Sequence, residues 1–210
     1  MRAITFLSQK GGSGKTTLAV HLAVAAEAAG EHACIIDTDP QQSAVAWRQV
    51  RTDDRPGVLS ATPATLSRMI DRARDEGATL VVIDTAPHLQ PGTSQVVAHA
   101  DAIFIPTRPT ALDLATIPSS VQVARATDKP TAFIVNACPP RAPEVSETIE
   151  VLAAYGHPVA PVTIGDRRAF SRAIANGRAV MEFEPRGRAA QEIAELWKWI
   201  NDKVGETHAA

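Results

Sequence analysis

Residues 10–17 read Lys10-Gly11-Gly12-Ser13-Gly14-Lys15-Thr16-Thr17. They stand between an apolar run, Ala3-Ile4-Thr5-Phe6-Leu7, and a segment of helical periodicity from Lys15 to Ala29. Glycines let a backbone curl until successive N–H groups converge on an anion, and the positive end of the following helix adds to that field. In a strand, loop and helix setting, this pattern cradles the phosphates of a nucleotide. Gly11, Gly12, Ser13, Gly14, Lys15, Thr16 and Thr17 are therefore the expected nucleotide-binding residues. Lys15 is expected to reach the β- and γ-phosphates, and the Thr16 hydroxyl to ligand Mg²⁺.

Outward from this stretch, short apolar runs alternate with helical segments, the pattern of strand, crossover helix and parallel strand. Strands are expected at Ala3 to Leu7, Ala33 to Asp37, Val58 to Ala61, Leu80 to Asp84, Ala102 to Pro106, Thr131 to Asn136 and Pro158 to Thr163. Helices are expected over Lys15 to Ala29, Gln41 to Arg51, Ala111 to Arg125, Pro143 to Tyr155, Arg167 to Asn176 and Arg188 to Val204. One more begins with Thr62 as N-cap and Pro63 as first helical residue, with Leu66, Met69, Ile70 and Ala73 on one face. The fold class is α/β: a doubly wound, mostly parallel sheet with helices on both faces, forming one domain over residues 1–210. Asp37 and Asp84 end their strands on the side where open α/β sheets bind ligands.

Together with Ile35-Ile36-Asp37-Thr38-Asp39-Pro40-Gln41 and Leu80-Val81-Val82-Ile83-Asp84-Thr85-Ala86-Pro87, residues 10–17 resemble the deviant Walker A ATPases of the ParA/MinD family, in the SIMIBI class of P-loop proteins. The resemblance implies ATP and Mg²⁺ as cofactors, and a slow, partner-stimulated ATPase that forms an ATP-sandwich homodimer. It implies that Lys10 reaches across that dimer to the partner's nucleotide, and that Lys10, Lys15 and Asp39 serve catalysis, Asp39 by orienting water. Thr16, Asp37 and Asp84 become the metal-side residues, and Asn136 the residue that hydrogen-bonds adenine. Two bland readings stay open: Asp39 as a helix cap and Asn136 as a turn residue. The loop Pro106 to Asp113 resembles the family's loop lining nucleotide and dimer interface, although Asp113 also suits a helix cap. His88 is either a γ-phosphate sensor or a plain loop residue. As in short ParA proteins, no helix-turn-helix segment is expected ahead of the first strand.

Between Gly165 and Arg188 lie Arg167, Arg168, Arg172, Arg178, Arg186 and Arg188 against Asp166, Glu182 and Glu184, in a chain whose formal net charge is −2. Arg168 and Arg172 share a helix face. The resemblance to ParA proteins extends non-specific DNA binding to Arg167, Arg168 and Arg172, with an ion-pairing face as the alternative; Phe170 is the one aromatic interleaved with those three arginines, so base reading is not expected. The expected partners are a second copy of the chain with ATP, DNA of any sequence, and a stimulating adaptor of ParB type or a cargo adaptor. The cargo could be a plasmid, a chromosome region or a protein assembly. Two alternatives remain. One is a MinD-like membrane-associated ATPase using the apolar residues Ile193, Leu196, Trp197, Ile200 and Val204. The other is a P-loop metabolic synthetase. A reductase with a metal cluster is excluded by the presence of only Cys34 and Cys138, both in apolar surroundings. No apolar run approaches membrane-span length, and Met1 leads almost directly into a strand, so no stable membrane insertion and a cytoplasmic, nucleoid-associated location are expected.

Overall fold

A computed structural model describes residues 1–87 and 92–208, with side chains described through Gly205. Six strands form one parallel sheet in the order β3-β2-β4-β1-β5-β6: β1 (Arg2–Phe6), β2 (Ala33–Asp37), β3 (Gly57–Ser60), β4 (Leu80–Asp84), β5 (Ala102–Thr107) and β6 (Thr131–Val135). The central strands are buried on both faces, which is why they read as unbroken apolar runs.

Alternation along each strand sorts the core into two layers. Ile4, Phe6, Ile35, Val82, Phe104 and Ile134 point to one face, where α1 (Lys15–Ala28), α2 (Ser43–Val50), α8 (Arg168–Ala175), α9 (Val180–Phe183) and α10 (Arg188–His208) pack. Residues one step along, such as Ile36, Ile83, Ile103, Ile105 and Val135, point to the other face. It is covered by α3 (Leu66–Asp75), α4 (Thr93–Ala98), α6 (Ile117–Arg125) and α7 (Glu144–Ala153). Each fully buried Leu, Ile or Phe contributes roughly 1.5–3 kcal/mol of transfer free energy. α1 is buried nearly all round because α10 lies across it, and it stops where the Gly30 N–H bonds the Glu27 carbonyl at φ 94°.

Several boundaries differ from the sequence expectation. The segment from Pro158 to Thr163 runs beside β6, with the Ala160 N–H on the Phe133 carbonyl at 2.8 Å, but makes one isolated bridge, Val159 with Phe133, in place of a seventh strand; Pro158 and Pro161 have no N–H to extend a ladder. Thr62 opens a turn, its N–H bonded to the Thr65 hydroxyl at 2.9 Å, so α3 begins at Leu66. The expected helix from Ala111 to Arg125 is broken into α5 (Ala111–Leu114) and α6. Pro118 cannot donate back to the preceding turn, and the Thr116 hydroxyl bonds the Asp113 carbonyl at the break. The short helices α4 and α9 had no periodic signal long enough to be seen.

Candidate functional site

Because β1 lies between β4 and β5, the loop that follows it emerges beside the ends of both neighbours. Asp84 closes β4 level with Phe6 of β1 and with Asp37 of β2. The glycine-rich loop, the two strand-end carboxylates, Asp39 and the Arg108 loop thus share one end of the sheet. A cavity of about 230 Å³ there is lined by Gly11, Gly12, Gly14, Lys15, Thr16, Thr17, Asp39, Gln41, Ser43 and Pro87.

Lys15 is buried, and its Nζ donates to the carbonyl oxygens of Ser8 at 3.1 Å and Lys10 at 3.4 Å. Burial lowers its pKa, while the nearby carboxylates of Asp84 and Asp39 pull it back up. Gly14 holds φ 98° directly before α1, in the left-handed region glycine accepts. Packed on its back is Asn136 at the end of β6, whose Nδ2 donates to the Ser13 carbonyl at 2.7 Å. Asn136 therefore braces the loop through its amide, and it also lines a second cavity of about 500 Å³ with Gly12, Gly14, Thr17 and Asp166.

The carboxylates divide by environment. Asp37 is fully buried, and both its oxygens are taken by backbone: Oδ1 by the Asp39 N–H at 3.0 Å, Oδ2 by Ala44 at 3.0 Å and Val45 at 3.3 Å. The cap of α2 is thus Asp37, a residue the sequence reading placed beside the metal. Asp39 is half-buried; its Oδ1 accepts the Gln41 N–H at 2.9 Å, a local turn bond that leaves Oδ2 without a partner among the described residues. Asp84 stands apart, completely buried, with neither oxygen in good hydrogen-bond geometry and only the Thr16 hydroxyl near enough to act on it as a donor. Burial pushes its carboxyl up to about 7, with the Thr16 hydroxyl and Lys15 opposing and the Asp37 and Asp39 charges adding. A buried carboxylate without partners is costly unless a cation joins it. Oxygen donors from Asp84 and Thr16, beside a phosphate cradle, suit Mg²⁺, which is held by one or two carboxylates together with waters and phosphates. Among the described residues no group of three or more His, Cys, Asp or Glu forms a denser metal site.

Lys10 sits half-buried at the loop's start, its N–H 3.4 Å from the Ser8 hydroxyl oxygen. His88 lies outside the described residues. Both cysteines are buried thiols, pushed up by burial to about 12 for Cys34 and about 11 for Cys138. The three arginines of the basic segment separate. Arg167 is committed to Glu192, Nη2 to Oε1 at 2.5 Å and Nε to Oε2 at 3.2 Å, whereas Arg168 and Arg172 are exposed on α8, with the Arg172 guanidinium 5.3 Å from the Phe183 ring centre. Sequence reading named the loop from Pro106 to Asp113 but not the pairing inside it, where Asp113 holds Arg108 through two hydrogen bonds of 2.9 and 3.0 Å; the Arg-x-x-x-x-Asp spacing carried no signal without the loop's shape.

The family profile described as the CobQ/CobB/MinD/ParA nucleotide binding domain matches residues 4–180. The chain belongs to this family. Among its ParA/MinD relatives, the maintenance of carboxysome distribution protein A of Gloeobacter kilaueensis is 34% identical over 207 residues, covering 97% of this chain and 94% of that one. The chromosome-partitioning ATPase Soj of Thermus thermophilus is 30% identical over 135 residues, about half of each chain at 50% and 54%. The fold matches that of the septum site-determining protein MinD of Pyrococcus horikoshii in complex with Mg-ADP, at a TM-score of 0.78, 18% identity and 98% coverage of both chains.

Proposed function

We propose that this ParA/MinD-family chain is an ATPase that binds MgATP at Gly11–Thr17, pairs with a second copy around ATP, and holds DNA of any sequence in that state. Hydrolysis, stimulated by a ParB-type or cargo adaptor, then releases it and so positions a cargo. The observation that carries this reading is Asp84, a fully buried carboxyl group that no well-formed hydrogen bond satisfies, next to Thr16 and Lys15 at the mouth of a phosphate cradle. Mg²⁺ supplies charge neutralisation of the phosphates. Lys15 and the loop N–H groups hold the phosphates, Thr16 and Asp84 face the metal, Asp39 orients the water, and Lys10 reaches the partner's nucleotide. Asp37 acts indirectly, by fixing the Asp39 N–H and the start of α2. Adenine, in this reading, enters the larger cavity that Asn136 lines and is hydrogen-bonded from there.

Arg168 and Arg172 are the DNA-facing pair in this reading, and Arg167, paired with Glu192, is set aside as structural. Relatives named for carboxysome distribution and for chromosome partitioning make protein assemblies and DNA both reasonable cargoes. The membrane alternative is disfavoured because Ile193, Leu196, Trp197, Ile200 and Val204 spend their apolar face inside the fold. No helix among the described residues is long and apolar enough to cross a membrane.

The test compares the parent, Lys15→Ala and Asp39→Ala by light scattering and DNA retention with ATP or ADP. Asp39→Ala with ATP is expected to double in mass and retain arbitrary duplex DNA, more weakly as salt rises. Lys15→Ala should do neither, because its site has lost the cation facing the β- and γ-phosphates. A monomer in the Asp39→Ala protein with ATP, or liposome binding without DNA retention, overturns the reading.

A further inference from the structure

The Arg108 loop is built more firmly than a surface turn requires. Asp113 is 1% exposed, and its carboxylate accepts from Arg108 Nε at 2.9 Å, from Nη2 at 3.0 Å and from the Thr110 hydroxyl at 2.7 Å. The Thr110 hydroxyl oxygen also accepts the Asp113 N–H at 3.2 Å, capping the turn of α5. Burial alone would raise the Asp113 carboxyl, but the bonds from Arg108 and Thr110 outweigh it and hold it below its usual range. The carboxylate is thus ionised, and it fixes the plane of the guanidinium.

Two of the three guanidinium nitrogens are spent on this mount. Nη1, with two N–H donors, has no hydrogen-bond partner among the described residues, and the side chain is 34% exposed. It stands 3.9 Å from the point where a Cβ on Gly12 would lie. The side-by-side pairing of β1 and β5 puts it there. A guanidinium locked on one edge and open on the other, at the rim of a loop that gathers N–H groups, is preorganised for a tetrahedral oxyanion.

We propose that Arg108 is an anion-contacting residue of the nucleotide site, presenting Nη1 to a phosphate oxygen of nucleotide bound either in the same chain or in a second copy facing it. Asp113 is its positioning residue. The proposal rests on the ATP-site reading above and adds to it a phosphate contact outside the Gly11–Thr17 motif.

The experiment titrates MgATP and MgADP into the parent, Arg108→Gln, Arg108→Lys and Asp113→Asn, at protein concentrations below and above that at which the parent dimerises with ATP. Arg108→Gln is expected to bind ATP about tenfold more weakly, the scale of one charge-assisted hydrogen bond, with its thermal midpoint kept. Arg108→Lys should recover part of the affinity, since charge returns without the fork. Asp113→Asn should lose affinity as Arg108→Gln does, and Arg108→Gln carries the test if Asp113→Asn fails to fold. A loss seen already in the monomer assigns the contact to the same chain, and one seen only above the dimerisation concentration assigns it to the second copy. Arg108→Gln within about twofold of the parent in both regimes, with dimerisation intact, overturns the proposal and leaves the pair as a loop brace. A parent that binds ATP no better than Lys15→Ala overturns the ATP-site reading and this contact with it.

Discussion

Gly14 is the residue at which local conformation and distant packing make the same demand. At φ 98° an L side chain is strained, and its Cβ would come within 2.0 Å of Asn136 Nδ2, which is itself tied to the Ser13 carbonyl. Gly14→Ala is therefore expected to cost roughly 1–3 kcal/mol and to lose nucleotide binding. Adding Asn136→Ala should recover part of the stability by removing the clash, leaving the backbone strain. Urea unfolding of the single and double variants decides it, and a double variant no more stable than Gly14→Ala would mean the clash relaxes unaided. The glycine pattern was legible because the constraint is written in adjacent residues. The link to Asn136 was not, because only the sheet's register brings the end of β6 to the loop after β1. The same holds for Asp37 and Asp39: both carboxylates were visible, but which of them caps α2 depends on how the chain turns at Pro40.

At the level of elements, α2 is fastened at both ends. Asp37 takes its first N–H groups, and beyond its last turn Arg51 makes two hydrogen bonds to Glu182, at 2.9 and 2.6 Å, and one to the Gly177 carbonyl at 3.0 Å. The Trp47 indole N–H bonds the Arg178 carbonyl at 3.3 Å. The segment carrying Asp39 thus heads a helix whose tail is bolted to the turn between α8 and α9. With side-chain exposures of 3% for Arg51 and 24% for Glu182, Arg51→Ala leaves a half-buried carboxylate short of its partner, at a cost on the order of 3 kcal/mol. Arg51→Ala/Glu182→Ala should be less destabilised than the sum of the two single changes, measured by denaturant midpoints at unchanged m; strict additivity would dissolve the bolt. Sequence periodicity found α1, α8 and α10 because their apolar faces recur over several turns. It missed α4 and α9, which are one turn or little more. Ion pairs such as Arg51 with Glu182 and Arg167 with Glu192 join segments whose proximity only tertiary structure supplies, so the basic cluster read in sequence as more available than it is.

For the molecule as a whole, two buried groups give opposing responses to acid. Asp84 is pushed from 3.8 up to about 7 by burial, so in that window the folded chain keeps a proton the unfolded chain has lost, and the contribution to stability falls as pH rises. His21, on α1, accepts the Val180 N–H at Nδ1 and is lowered by burial from 6.5 to about 3, so the unfolded chain takes the proton first and stability rises with pH. Between 3.8 and 6.5 the two slopes oppose each other. In metal-free buffer, thermal midpoints of Asp84→Asn should climb with pH across this window more than the parent's, and those of His21→Leu should fall relative to it. Identical profiles for Asp84→Asn and the parent would mean that Asp84 titrates in the ordinary carboxylate range. The sheet order has a consequence of another kind, for synthesis. β1 leaves the ribosome well before its neighbours, Leu80–Asp84 and Ala102–Thr107, and before Asn136, the brace on its loop. The phosphate cradle is therefore translated well before it can be shaped: a nascent chain has no seat for a nucleotide until the segment through Asn136 has been made.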